Sequence, residues 1–284
     1  MTKHNLYTYT SLGRPVDPRY RPVGLAVVGS IAAGLLFGFY NLMSAAPLVT
    51  TWLTGGVGAF LAWAIGRELD PDHTAAAYVA ITASVFISLV APPSLMAGTG
   101  LLVAVRLISG TVGIELKTLD LILLVGLAAL VGTGPTSPAA VPALVVGIIL
   151  YGNRSTRAVL IAAAMAAAAA IAMIATQPLA GSSDPDGWSI LFLIIAIIAL
   201  AATIPATPPT SQTDVGHKEL LGWRISSARV AAAATIGAAF ALGGDAGVKD
   251  IYATVGAALI GVAVARLLRT GDTSASRVEV EHES

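Results

Sequence analysis

The sequence predicts an all-α integral membrane protein, a polytopic bundle of about ten transmembrane helices with both termini in the cytoplasm. Three observations predict this class. The chain is 56% hydrophobic and only 11% charged, whereas soluble domains carry roughly 25% charged residues. Apolar runs recur along it at lengths near the ~17–25 residues that a helix needs to cross a bilayer. Basic residues fall almost entirely on one side of the resulting threading.

Each long apolar run is predicted to be a helix, because lipid offers no partners for unpaired backbone groups. The runs do not alternate as the strands of a membrane barrel would. In chain order, the predicted helices cover 23–42, 48–66, 74–91, 94–112, 118–134, 138–151, 157–176, 188–205, 228–243 and 251–268. Residues 1–22 are expected to form an N-terminal tail. Residues 269–284 are polar and are expected to be a disordered tail.

The orientation follows from the positions of lysine and arginine, which cytoplasmic loops retain. With ten helices, fifteen of the sixteen Lys and Arg residues lie on the side of both termini, and Lys249 is the exception. Removing one helix would invert every later segment and scramble this distribution. The charges therefore favour an even number of helices, ten best, in the plasma membrane with both termini cytoplasmic.

Small residues recur every four positions on several predicted helices. These stripes are Ser30, Gly34 and Gly38 in the first helix, Ala76, Ala80, Ser84 and Ser88 in the third, and Ala257, Gly261 and Ala265 in the tenth. Small side chains let helix backbones approach closely in a membrane. The stripes therefore predict tight helix packing, with a solute path lined by small residues as the alternative.

Arg106 is the only basic residue well inside an apolar run. Burying a charge near the centre of a bilayer costs about 2.5 kcal/mol or more on insertion scales. Two interpretations stay open. The arginine either snorkels or pairs with Glu68, Glu115 or Asp120, or it coordinates an anionic solute, for which the guanidinium fork is suited.

Thr99 and Thr133 are the other candidate solute contacts. Each lies between two glycines, in Gly98-Thr99-Gly100 and Gly132-Thr133-Gly134. Irregular backbone at membrane depth is tolerated only within protein or around a cavity. Unwound segments lining an outer vestibule are therefore one interpretation, and an ordinary loop, which nearby prolines favour for the second segment, is the other.

The densest polar cluster follows the second predicted helix and contains Glu68, Asp70 and Asp72. Carboxylates so spaced suit Mg²⁺ and would serve an enzyme that handles a pyrophosphate through a metal. Asp-Pro-Asp is also turn chemistry, and Asp72 or Thr74 would cap the third helix. The same unit recurs at 184–186 on the opposite side, so a turn-and-cap role is favoured and no metal is expected.

Several classes of function lack support. The chain has no cysteine, which excludes disulfides, thiolate catalysis and cysteine-based metal sites. Its formal net charge is zero, so a nucleic-acid partner is not expected. No nucleotide-binding loop or catalytic triad pattern is present, and no cofactor is expected.

Three functions agree with these observations. The leading hypothesis is a small-molecule permease with Arg106 near the solute path, because compact many-helix chains without soluble domains are often transporters. The first alternative is a non-catalytic membrane subunit or scaffold, whose partner would be another membrane protein or a second copy of this chain. The second is a membrane enzyme acting on a lipid-linked substrate through Glu68, Asp70 and Asp72. Membrane lipids are expected partners under all three.

Overall fold

A computed structural model describes residue 12 and residues 21–44, 47–113, 116–132, 137–152, 163–168, 171, 187–203, 209–214 and 217–268. The helices are α1 (Arg21–Tyr40), α2 (Leu48–Leu69), α3 (Thr74–Ser88), α4 (Leu95–Ser109), α5 (Thr118–Val131), α6 (Val141–Gly152), α7 (Gly187–Thr203), α8 (Gly222–Ile251) and α9 (Tyr252–Leu268). Short 3₁₀ turns follow α1 at Asn41–Ser44 and precede α6 at Ser137–Ala140. Among these residues there is one isolated antiparallel bridge and no strand, so the all-α class is confirmed.

Helices α1 to α7 begin and end within three residues of predicted ranges. The predicted helix 157–176 lies mostly outside the described residues. Within it, residues 163–168 are described and are helical. The agreement has a simple cause, because each range was bounded by the polar, glycine or proline residues that end an apolar run.

Helix α8 reverses direction before it reaches α9. A Cβ atom built on Gly247 would overlap the carbonyl oxygen of Ala239, yet eight residues of a straight helix span about 12 Å. The chain therefore turns back on itself between these two residues. The predicted reversal between 228–243 and 251–268 is present, but helical backbone continues through it where the sequence predicted a loop.

The first five residues of α9, Tyr252–Gly256, form a π-helical turn, and all five are buried. This turn contacts α2, α3, α4 and α7. The stripe on α3 faces α9, because a Cβ on Gly261 would meet the backbone of Ala76 and Ala80. All four residues of the stripe are buried, and the predicted packing role is confirmed for Ala76 and Ala80, which Gly261 contacts closely.

The interpretation of Gly98-Thr99-Gly100 as an unwound segment is wrong, because these residues lie inside the continuous helix α4, as the predicted range 94–112 requires. A Cβ on Gly98 would lie 3.1 Å from Leu61 and 3.3 Å from Thr254. A Cβ on Gly100 would lie 2.8 Å from Val131. The two glycines thus serve close helix approach, the use that small residues have at membrane helix interfaces.

The outer surface of the bundle carries many large apolar side chains. Phe39 is 74% exposed, Ile122 64% and Ile197 65%. By length and composition, two described helices, α1 with 20 residues and α2 with 22, are long and apolar enough to cross a membrane. The other apolar helices in the described part of the chain have 10–17 residues.

Candidate functional site: a buried ionic cluster at one end of the bundle

Charged side chains from four helices and one connection meet at a single end of the bundle. Glu68 and Arg106 lie in the last turns of α2 and α4, and Asp70 directly follows α2. Arg229 lies near the start of α8 and Arg266 near the end of α9. These five residues are called the ionic cluster. Charges are rarely buried unless they are paired, so the partners of each one decide what the cluster can do.

Arg106 is ion-paired with Glu68. Its Nε donates to Glu68 Oε1 over 2.9 Å, and the two side chains are 12% and 1% exposed. The Thr111 hydroxyl donates to the other oxygen of Glu68, and Arg106 Nη1 donates to the carbonyl of Leu12 over 2.6 Å. Pairing with Glu68 is one of the two interpretations that the sequence left open for Arg106. A contact between Arg106 and a solute stays a prediction.

Asp70 sits between one histidine and two arginines. Its Oδ1 lies 2.9 Å from Nδ1 of His73 and 3.9 Å from Nη2 of Arg229. Its Oδ2 lies 4.0 Å from Nε of Arg266. Oδ2 is buried and accepts no hydrogen bond from the described residues. The arginines therefore neutralise Asp70 by proximity, while their own donors point elsewhere.

Those donors point at the carbonyls that end helices. Arg229, 1% exposed, donates from Nε to Leu69 and from Nη1 to Thr203, each over 2.9 Å. Arg266 Nη1 donates to the same Thr203 carbonyl over 3.1 Å. Leu69 and Thr203 are the last residues of α2 and α7. Carbonyls of the last turn have no partner within their helix and carry its negative dipole end, so cations are stabilised there.

Arg224 likewise donates hydrogen bonds to the carbonyls in the last turn of α4. Its Nε and Nη2 donate to the carbonyls of Ile108 and Leu107 over 2.7 and 2.8 Å. Helix α4 ends at Ser109, and its C-cap residue Gly110 has φ of +70°, a value that glycine adopts without strain. A Cβ on Gly110 would also lie 2.6 Å from Arg224. The guanidinium thus occupies space that any larger residue at position 110 would fill.

Asp72 has a role that the sequence did not predict. The expected capping of α3 by Asp72 or Thr74 is wrong, because the N-cap position is His73 and no side chain caps that helix. Asp72 instead accepts from the backbone N–H groups of Ser211 and Thr210, over 2.8 and 3.0 Å. It therefore tethers the connection between α7 and α8, almost 140 residues away in the chain.

The tether predicts a pH dependence of stability. Burial raises the pKa of Asp72, but hydrogen bonds from Ser211 and Thr210 outweigh burial and leave its pKa below the ordinary value. A carboxylate with a depressed pKa stabilises the fold above its unfolded pKa, and this contribution is lost as the pH falls through the folded pKa. Asp72→Asn should lower the midpoint of thermal unfolding above about pH 5, and the difference from the parent should disappear as the pH falls through the folded pKa of Asp72. An equal difference at all pH values would contradict the tether.

The three acids of the predicted enzyme do not converge. Glu68 is bound to Arg106 and Thr111, Asp70 lies beside His73, and Asp72 accepts from a distant backbone. No group of three metal-ligating side chains comes together among the residues that the structure describes. Thr99 lies near the opposite end of α4 from Arg106, and Thr133 falls outside the described residues.

The sequence did not predict that Arg224, Arg229 and Arg266 belong to a site, because these arginines were used only to assign the cytoplasmic side. A signal was available for two of them. Arg229 and Arg266 both lie inside predicted helices, 228–243 and 251–268, where an ionisable residue marks function or a partner.

Fold and site together define a helical bundle with one arginine-rich end, where the arginines donate hydrogen bonds to the carbonyls that end the helices. Comparisons with protein-family models, curated proteins and solved structures find no match to this chain.

Proposed function

We propose that this chain is an integral membrane protein of about ten spans whose charged end faces the cytoplasm. The exposed apolar side chains support this proposal. Soluble monomers rarely expose contiguous apolar patches larger than a few hundred Å², while α1 alone exposes Leu25, Val28, Leu35 and Phe39 by half or more. The ionic cluster lies at one end of the bundle. Cytoplasmic loops of membrane proteins retain lysine and arginine, so this end is proposed to face the cytoplasm.

Within that frame, the proposed activity is that of a small-molecule permease whose cytoplasmic end is shut by the ionic cluster. The carrying observation is the buried pair Glu68–Arg106, which joins α2 to α4. A buried ion pair adds little net stability over apolar residues of similar volume, so it is a poor choice for permanent helix adhesion. An ion pair that is broken and remade during a transport cycle explains why charge is placed there.

In this closed arrangement Arg106 serves as a closing residue. An anionic solute would compete with Glu68 for the guanidinium when the end opens, because both present carboxylate or phosphate oxygens to the same fork. Plasma membrane lipids are its expected surroundings, and the solute is the expected small-molecule partner.

A membrane scaffold is the second candidate, and one observation favours it. The donors of Arg224 and Arg229 go to backbone carbonyls at helix ends, which suits a static clamp as well as a closure. Such a scaffold would hold another membrane protein or a second copy of this chain, and its interior would stay shut at all times.

Accessibility of the interior separates the two candidates, and the absence of native cysteine makes the measurement clean. Ser84 is fully buried in α3, and its hydroxyl has no hydrogen-bond partner among the residues that the structure describes. Ser84→Cys would be treated with a membrane-impermeant maleimide from each side of sealed vesicles. A permease exposes this position to both sides in turn, so slow modification from either side is expected.

Two further single cysteines control this measurement. Glu219→Cys, exposed before α8, should react rapidly and only from the cytoplasmic side. Ser30→Cys, which lines an apolar groove of about 260 Å³ between α1 and α2, should not react with a polar reagent. Protection of Ser84→Cys from both sides, with Glu219→Cys reactive, would reject the permease in favour of the scaffold.

A further inference from the structure

The hairpin of α8 and α9 is fastened to the rest of the bundle by arginines at the charged end. Arg224 binds the end of α4, Arg229 binds the ends of α2 and α7, and Arg266 binds the end of α7 again. Three helices are therefore clamped by one hairpin, and all the clamping donors belong to the hairpin. These donors therefore hold the charged end of the hairpin to its neighbours.

The opposite end of the hairpin has an irregular backbone. The chain reverses between Ala239 and Gly247, and the π turn Tyr252–Gly256 follows. π turns are rare interruptions that occur frequently at functional sites, and changes in helix direction concentrate where the regular hydrogen-bond ladder is interrupted. Tyr252 stacks on Phe192 of α7 with ring centroids 4.1 Å apart, which holds this end of the hairpin to its neighbour.

Between these two ends, α9 meets α3 through small residues. Gly261 lies against the backbone of Ala76 and against Ala80. Side chains this small do not interlock, so a shift of α9 along α3 meets few steric barriers compared with a surface of interdigitated leucines.

We propose that the α8–α9 hairpin is the moving element of this protein, with the π turn as its hinge and Arg224, Arg229 and Arg266 as its latch. This inference rests on the proposed permease function and names the part that opens the cytoplasmic end. Loss of the latch swings the charged end of the hairpin away from the ends of α2, α4 and α7, while the stack of Tyr252 on Phe192 stays in place.

Distances between paired spin labels test this proposal. Labels at Leu268→Cys, exposed at the charged end of α9, and Thr118→Cys, exposed at the start of α5, report on the hairpin. Labels at Thr74→Cys, exposed at the start of α3, and Thr118→Cys form the matched control pair. Both pairs would be measured in lipid nanodiscs with the latch intact and with Arg229→Gln.

With the latch intact, one narrow 268–118 distance is expected. Arg229→Gln should move or broaden it by about 5 Å, the scale of a one-turn displacement, and leave the 74–118 distance unchanged. Arg266→Gln, at a more exposed guanidinium, is the second variant and should act in the same direction if Arg229→Gln does not fold. Equal changes in both pairs, or no change in either, would overturn the proposal.

The spin-label experiment on the hairpin and the cysteine-accessibility experiment on the permease can fail independently. If Ser84→Cys reacts from both sides while the 268–118 distance stays fixed, the permease stands and a different element opens it. If the hairpin moves while Ser84→Cys stays protected, the latch stands and the permease fails.

Discussion

Arg229→Met should unfold this protein more readily than any other single arginine substitution among the described residues. Arg229 is almost fully buried and donates to the last carbonyls of α2 and α7 beside Asp70. Methionine fills a similar volume, but it removes the guanidinium that donates to the Leu69 carbonyl and leaves Arg266 as the one remaining arginine beside Thr203 and Asp70. Breaking a buried ion pair by removing one partner costs about 3–5 kcal/mol, and a loss of that size is expected in denaturant unfolding of the detergent-solubilised protein.

Arg67→Met is the matched control for this substitution. Arg67 lies in the last turn of α2, near the same end, but it is partly exposed and lies over the ring of Trp63, 5.6 Å from its centroid. A cation over an aromatic ring at an exposed site contributes about 0.5–1 kcal/mol. Equal losses for Arg67→Met and Arg229→Met would show that burial among helix ends gives Arg229 no special role.

The second large effect is a non-additive response at the Glu68–Arg106 pair. Glu68→Met leaves a guanidinium with little access to water, and Arg106→Met leaves a buried carboxylate, so each single variant should lose about 3 kcal/mol of unfolding free energy. The double variant leaves neither charge unpaired. It should lose less than the sum of the two by about 1.5 kcal/mol or more, the coupling expected of residues in direct contact.

The same set of single and double variants also tests whether the Glu68–Arg106 pair closes the cytoplasmic end. A double variant that is as stable as the parent and yet leaves the cytoplasmic end open would show that the pair exists for closure. Strict additivity of the two losses would contradict the direct ion pair, because uncoupled residues contribute independently.

Helix positions were predictable because apolar runs and their boundaries are local properties of the sequence. The bounds of α1 to α7 follow the polar, glycine and proline residues that end each apolar run, and each run carries that information itself. The pairing of Arg106 with Glu68 was within reach for a related reason. A charge inside an apolar run needs a partner, and few carboxylates lie at the right depth.

The clamps by Arg224 and Arg229 were not predictable in the same way. Arg229 meets Leu69 across 160 positions of sequence, and its acceptors are backbone carbonyls, which carry no residue-specific signal. The roles of Gly98 and Asp72 were predicted wrongly because each residue type has two common uses. Glycine serves close packing as well as unwinding, and an aspartate serves as an acceptor for a distant backbone as well as a cap. Only the tertiary partner decides.

We propose that the ionic cluster closes the cytoplasmic end of a solute path. The most direct test is the rate at which a cytoplasmic, membrane-impermeant maleimide modifies Ser84→Cys, with and without Glu68→Gln. Leu144→Ala, a large-to-small change at a buried residue of α6 that is not part of the ionic cluster, serves as a control for general destabilisation. If the ionic cluster closes the path, Glu68→Gln should increase the rate about tenfold, equivalent to ~1.4 kcal/mol of closure, and Leu144→Ala should not increase it. Equal rates with and without Glu68→Gln would contradict it.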